Sequence, residues 1–251
     1  MKKNRNISRR QAIYTGLTSA GALLLSGCFK KQPPTYGSIL RMGDDFTYMA
    51  QRGLLSQRAL AVEYPKSEIT SFPATGNYHP GDPTIKASYN KEYQQLQANN
   101  FADWALSIEG SVAKPGKYTM ADLQKLGQRT QITRHTCEEG WSAIAEWTGT
   151  PLALLLQNAG ILPNARYVSL YGYDNYAESI DLLDAFHPQT ILAHTMNGQP
   201  LPLEHGAPVR LRVETQIGYK SVKYLQRIVV SDKFVDAAAD IKGGWSWYTG
   251  I

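Results

Sequence analysis

Apolar and polar residues alternate at Trp104, Leu106 and Ile108, the two-residue period of a strand with one buried face. Gly110 and Lys114-Pro115-Gly116 then turn the chain, and residues 119–126 predict a short helix with Thr119 as N-cap and Asp122 three residues on. A strand over residues 131–136 delivers Cys137 at its end, and residues 151–159 predict a compact apolar helix that opens on a proline and closes on Gly160. Further strands are expected over 166–170, 209–213 and 221–230, with a helical turn over 181–186. Nearer the start, residues 42–61 read as a helix carrying Ala50, Leu54, Leu55 and Leu60, whereas 67–83 holds too many turn formers for regular structure. Strands mixed with short helices, and no repeated βαβ unit, predict an α+β fold.

The first thirty or so residues break this pattern. Lys2, Lys3, Arg5, Arg9, Arg10, Lys30 and Lys31 stand there with no acid, around a moderately apolar run over 12–25 that is too short and too polar to span a bilayer. Ser8-Arg9-Arg10-Gln11-Ala12-Ile13-Tyr14 resembles a twin-arginine export signal, and Leu25-Ser26-Gly27-Cys28 resembles the lipobox of a bacterial lipoprotein. The expected organisation is a signal peptide over 1–27, a tether and N-terminal helix over 28–66, and one functional domain over 67–251. An ordinary secretory signal with an incidental Cys28 stays open. The twin-arginine reading implies an extracytoplasmic, periplasmic location, a membrane anchor through lipid on Cys28, and a protein exported already folded around a cofactor.

This address changes what the charge means. The whole chain has 26 Lys and Arg against 21 Asp and Glu, a net +5 and a pI near 9.1, which by itself suggests a nucleic-acid partner. The seven bases of residues 1–31 account for the excess, leaving 19 bases against 21 acids. A near-neutral folded part argues against a phosphate-binding face, which relies on clustered cations. A composition of 43% hydrophobic and 19% charged residues excludes disorder, and no GxGxxG or GxxxxGK[ST] loop is present to cradle a nucleotide.

Of two cysteines, Cys28 is assigned to lipid, so Cys137 is a lone thiol in an oxidising compartment, and is buried, reactive or metal-bound. It lies in Ile132-Thr133-Arg134-His135-Thr136-Cys137-Glu138-Glu139-Gly140-Trp141-Ser142. Two further motifs follow, His205-Gly206-Ala207-Pro208-Val209-Arg210-Leu211 and Gly218-Tyr219-Lys220-Ser221-Val222-Lys223. Together these resemble the sulfite oxidase family of molybdopterin enzymes, most closely its bacterial branch that includes periplasmic methionine sulfoxide reductases, over about 104–230. The resemblance implies a molybdenum-molybdopterin cofactor with Cys137 as the metal ligand. Soft thiolate donors suit a metal that cycles between oxidation states. It also carries pterin binding onto His205, Arg210, Ser221 and Lys223, since Arg and Lys grip a phosphate tail.

Glu139 and Trp141 match positions just past the thiolate in that branch and are candidates to line the substrate pocket, and Glu139 is a candidate proton relay. Trp141 could equally be a core aromatic. Asn77, in the loop where the reductases carry a pterin-contacting Asn, is a further candidate, with a plain turn as its alternative. The chain has Glu138 and Glu139 where sulfite-oxidising relatives carry an Arg-rich stretch, so a dianion is disfavoured. Gly172, where the reductases have a hydroxyl residue, departs from their pattern. No immunoglobulin-like domain is expected after the strand ending at 230, and no CxxCH haem motif is found in the sequence, so electrons are expected to be exchanged with a membrane cytochrome b or a c-type cytochrome. The tail Gly244-Trp245-Ser246-Trp247-Tyr248 is expected to cover the core. The reading is thus an exported oxidoreductase that transfers an oxygen atom to or from a small molecule, with sulfoxide-like reduction favoured over sulfite oxidation. A non-catalytic ligand- or partner-binding lipoprotein with Cys137 merely buried, and a zinc hydrolase using His135 and Cys137, are the competing readings.

Overall fold

In the computed structural model the described residues are 39–56, 58–74, 79–235 and 246–251, all within the unit Gly37–Ile251. The signal and lipobox assignments, and Asn77, lie outside them.

The structure confirms the α+β class, with two five-stranded sheets and short helices. The first sheet runs in the order β2 (Gly116–Thr119), β1 (Ala105–Gly110), β10 (Leu225–Ser231), β5 (Tyr167–Gly172) and β6 (Ala177–Asp181). Only β1 and β10 are parallel in it. The second is antiparallel, from β3 (Arg129–Thr136) through β4 (Ser142–Pro151) to β7 (Ile191–Met196), against which both β8 (Gln199–Pro200) and β9 (Arg210–Arg212) pair. Helix α1 is Ile39–Leu54, α2 Lys91–Ala98, α3 Met120–Leu126, α4 Leu152–Ala159 and α5 Leu182–Ala185.

Local chemistry explains the helices that the sequence predicts. Thr119 accepts from Asp122 N while the Asp122 carboxylate takes the Thr119 N–H, a reciprocal cap that starts α3. In α4, Leu152, Leu155, Leu156 and Ala159 share one buried face, and Gly160 ends the helix in the left-handed region at φ 72°. Their contacts belong to the main core, with Trp104, Leu106, Ile108, Val168, Leu170, Ile228 and Val230 from the first sheet.

Four expectations change. α1 ends at Leu54 instead of 61, because the chain beyond it is claimed by tertiary partners. Ala61 exchanges hydrogen bonds with the Gln189 side chain, and Tyr64 N donates to Ile132 O along the edge of β3. The last strand begins at Leu225 instead of 221, since Gly218–Lys220 is a 3-10 turn and Tyr224 sits at φ 54°. β4, β6 and β7 are strands that the alternation test misses: β4 and β6 are buried on both faces, so their sequences do not alternate. Helix α2 is likewise missed, because only Tyr93 and Leu96 of its eight residues are buried.

The described end of the chain, residues 246–251, packs on α1. Tyr48 meets the rings of Trp247 and Tyr248 at 4.9 and 5.0 Å. Ser246 Oγ donates to Asp44, Trp247 Nε1 to Asp45 and Tyr248 OH to Gln51.

At the β4–β7 bulge the backbones pass so closely that a Cβ on Gly149 would stand 2.2 Å from Leu192 O, whereas one on Gly116 would meet nothing within 4 Å. Gly149→Ala is therefore expected to cost about 1–3 kcal/mol, read from the urea midpoint. Gly116→Ala is expected to stay within about 0.5 kcal/mol of the parent chain.

Candidate active site

Alternation along β3 puts Gln131, Thr133 and His135 on one buried face, and Cys137 follows on that face just past the strand end. A tight turn holds the thiol. Cys137 N donates to Trp141 O at 2.9 Å and Gly140 N to Cys137 O at 3.1 Å, with Gly140 at φ 89° where L side chains are strained. Cys137 is buried, and its Sγ donates to Glu138 Oε2 at 3.6 Å. The thiol opens on a cavity of about 310 Å³.

The sequence motifs supply three of the cavity walls. His205 ends the 3-10 turn Leu203–His205, Arg210 opens β9, and Ser221 and Lys223 lie between the turn Gly218–Lys220 and β10. The structure thus brings Cys137, His205, Arg210, Ser221 and Lys223 together. Arg210 donates from Nη1 to His205 O and from Nη2 to Ser221 O, each at 3.0 Å, and its guanidinium lies over Trp147. Gly206, at φ 107°, is required here: a Cβ would come within 2.9 Å of Lys223 Cβ and 3.2 Å of Arg210 Cβ. Lys223 Nζ donates to Glu204 O at 2.8 Å.

Burial, followed by the charge of Arg212, pushes Arg210 down to about 9, and burial, then Arg210, lowers Lys223 to about 8. An anionic group bound beside them would raise both. His205 is lowered to about 4 by burial, then by Arg210, so its ring is neutral. Its Nδ1 is buried without a hydrogen-bond partner among the described residues, an uncommon condition that a ligand would relieve.

Glu139 is placed differently from the expectation. The turn after Cys137 sends Glu138 to the cavity, while Glu139 stays at the exposed rim and accepts from Trp141 Nε1 at 3.0 Å. Sequence reasoning missed Phe72, Asp174, Tyr176 and Tyr219 as cavity residues. Phe72 reaches the site because Thr70 pairs with Ile144 of β4 through its N–H and its hydroxyl. Asp174 and Tyr176 come from the β5–β6 turn, which a Tyr-Asp-Asn-Tyr stretch with Asn175 at φ 66° could have flagged as a tight turn. Beneath that turn Lys220 Nζ holds Glu178 Oε2 at 2.7 Å, both side chains being almost wholly buried.

These residues fit a molybdenum group carried on a pterin with an anionic tail: a thiol at the cavity wall, two cationic side chains and a buried imidazole lacking a partner. Among the described residues, no three His, Cys, Asp or Glu side chains converge as a zinc site needs.

Comparison with known proteins agrees. Residues 93–238, more than half of the chain, match the family model of the oxidoreductase molybdopterin binding domain. The chain is 34% identical over 244 residues to a protein of Azospira oryzae provisionally named protein-methionine-sulfoxide reductase subunit YedZ1, covering 97% of this chain and 88% of that one. It is 28% identical over 204 residues to the protein-methionine-sulfoxide reductase catalytic subunit MsrP of Xanthomonas campestris, covering 69% of this chain and 63% of the relative. The match therefore spans less than two thirds of that catalytic subunit. Among solved structures, the sulfane dehydrogenase SoxCD of Paracoccus pantotrophus is similar with a TM-score of 0.52 and 27% identity, over 56% of this chain and 41% of that one.

The half-buried Asp174 carboxyl, raised to about 6 chiefly by burial, gives a stability test. The unfolded chain loses this proton first, near pH 4, so the native state is penalised progressively as pH rises from about 4 to about 6. Asp174→Asn is expected to match the parent chain below pH 4 and to exceed it by about 1–2 kcal/mol at pH 7, as measured by urea unfolding at both pH values.

Proposed function

We propose that this chain, which belongs to the oxidoreductase family with a molybdopterin binding domain and has its sulfite oxidase-type fold, reduces a sulfoxide-type small molecule outside the cytoplasm with electrons from a cytochrome. The observation that carries the reading is the Cys137 thiol at the wall of a cavity that also holds Arg210, Lys223 and His205. Cys137, as thiolate, would hold the metal, and that negative charge would oppose the lowering of Lys223 by burial and so favour its protonated form. Arg210 and Lys223 would hold the anionic tail, with His205 and Ser221 lining the pterin and Asn77 as a further contact. When bound, this group supplies a two-electron centre that can take up an oxygen atom.

The net conversion is sulfoxide plus two protons and two electrons to thioether plus water, with the cytochrome giving the electrons one at a time. Glu138 in the cavity lining and Glu139 at its rim offer a short carboxylate route by which protons enter from solvent. Phe72, Trp141 and Tyr219 in the lining favour a compact, partly apolar substrate, and the carboxylates of Glu138 and Asp174 oppose a dianion such as sulfite. Relatives named as methionine sulfoxide reductase subunits support the sulfoxide class. The twin-arginine and lipobox patterns support export and a lipid anchor at Cys28.

Metal analysis of chain purified from a molybdenum-supplied host is expected to give about one molybdenum per chain, consistent with one thiolate ligand. Cys137→Ser is expected to lose the metal and abolish dye-linked sulfoxide reduction while the circular dichroism spectrum stays unchanged. Turnover undiminished in that variant sinks the ligand assignment.

A further inference from the structure

His135 lies on the buried face of β3, two residues before Cys137, which follows the strand end, and its ring forms part of the cavity wall. Its Nδ1 lies 2.6 Å from Arg212 Nη1. A guanidinium has donors only, so Nδ1 accepts, and the ring then carries its single proton on Nε2.

Arg212 is held firmly in this role. Its Nε and Nη2 donate to the two oxygens of Glu214 at 3.1 and 2.7 Å, and its guanidinium lies 4.6 Å from the Trp147 ring centroid. Glu214 in turn accepts from Gln131 Nε2 at 3.0 Å. The Arg212 and Glu214 side chains are each 1% exposed, so no solvent competes for these bonds.

The Cε1–Nε2 edge of the ring faces a glycine. A Cβ on Gly218 would stand 2.6 Å from both Cε1 and Nε2 of His135, and Gly218 itself lines the cavity. His135 Nε2 has no hydrogen-bond partner among the described residues.

We infer that Arg212, clamped by Glu214, is a positioning residue that fixes the proton of His135 on Nε2, and that this N–H hydrogen-bonds the oxygen of the substrate. The substrate class rests on the functional reading above; the tautomer does not. A sulfoxide oxygen carries the negative end of the S–O dipole and can only accept, so a fixed donor on the wall recognises it. The thioether left after oxygen loss is a poor acceptor. The contact therefore favours substrate over product.

The test uses the full-length holoenzyme labelled with nitrogen-15 in its five histidines, with His135 assigned by the signal lost in His135→Gln. The expected spectrum shows His135 protonated at Nε2 alone, and the Nε2–H signal moves on adding dimethyl sulfoxide but not dimethyl sulfide. In Arg212→Met, and in Glu214→Gln should the first variant fold poorly, the signal is expected to become a mixture of both tautomers. The KM for sulfoxide is expected to rise about three- to tenfold in Arg212→Met and His135→Leu, the value of one lost hydrogen bond, with kcat changing less. His135→Gln, whose amide keeps a donor near the Nε2 position, is expected to recover part of that loss. A proton on Nδ1 in the parent chain, an Nε2–H indifferent to dimethyl sulfoxide, or an unchanged KM in His135→Leu overturns the inference. Lack of molybdenum would remove the functional reading instead, and would leave the tautomer result to stand by itself.

Discussion

Two segments that face the Cys137 thiol, the turn ending at His205 and the stretch Ser221–Tyr224, lie outside the strand ladders, so their carbonyl groups must find partners elsewhere. Backbone N–H groups of Leu211 and Tyr173 take Val222 O and Tyr224 O, and the Arg210 guanidinium takes two more, bonding His205 O with one nitrogen and Ser221 O with another. This one side chain therefore ties two cavity walls to each other and to the start of β9. Gly206 is the corollary, because the space beside its Cα is taken by the side chains of Arg210 and Lys223. The ring of Trp147, central in β4, supports the guanidinium from below and takes Arg212 as well.

Holding the cavity this way brings ionised groups into the interior. Arg210, Arg212, Glu214, Lys220, Glu178 and Asp184 are all buried, a costly arrangement that apolar residues of similar volume would often match or better in stability. Two almost wholly buried pairs are made at good geometry, Arg212 with Glu214 and Lys220 with Glu178. Arg210 is different: its close partners are carbonyl dipoles, which leaves its positive charge to act on the cavity. Stability alone does not explain such a choice, whereas binding an anionic group does.

The two ends of the described chain reach the same region. Arg52 of α1 bonds Asp181 at 3.0 Å and Asp184 at 2.8 Å. The Asp184 carboxylate also accepts from Thr215 Oγ1 and Gln216 Nε2, just before the turn that carries Gly218. Ion pairing at α1 and the position of the Gly218 turn are thus linked through one buried carboxylate.

The sequence alone was enough to single out cavity residues that reside in contiguous motifs. Cys137 at a strand end, His205 and Arg210 around a glycine turn, and Ser221 and Lys223 beyond another all line one cavity, each motif carrying its own local geometry. Short helices with caps, α3 and α4, were legible for the same reason. What only the tertiary structure decided is what depends on partners far along the chain. β4 is buried on both faces and so has no alternating pattern, and residues 61–64 leave the helical course because β3 offers them an edge. Glu138 rather than Glu139 faces the cavity because of how one turn is closed. The setting of His135 by Arg212 joins residues 77 positions apart. A hydrogen bond of that kind leaves no periodic trace in a sequence, since its geometry exists only once the sheet that holds both strands has formed.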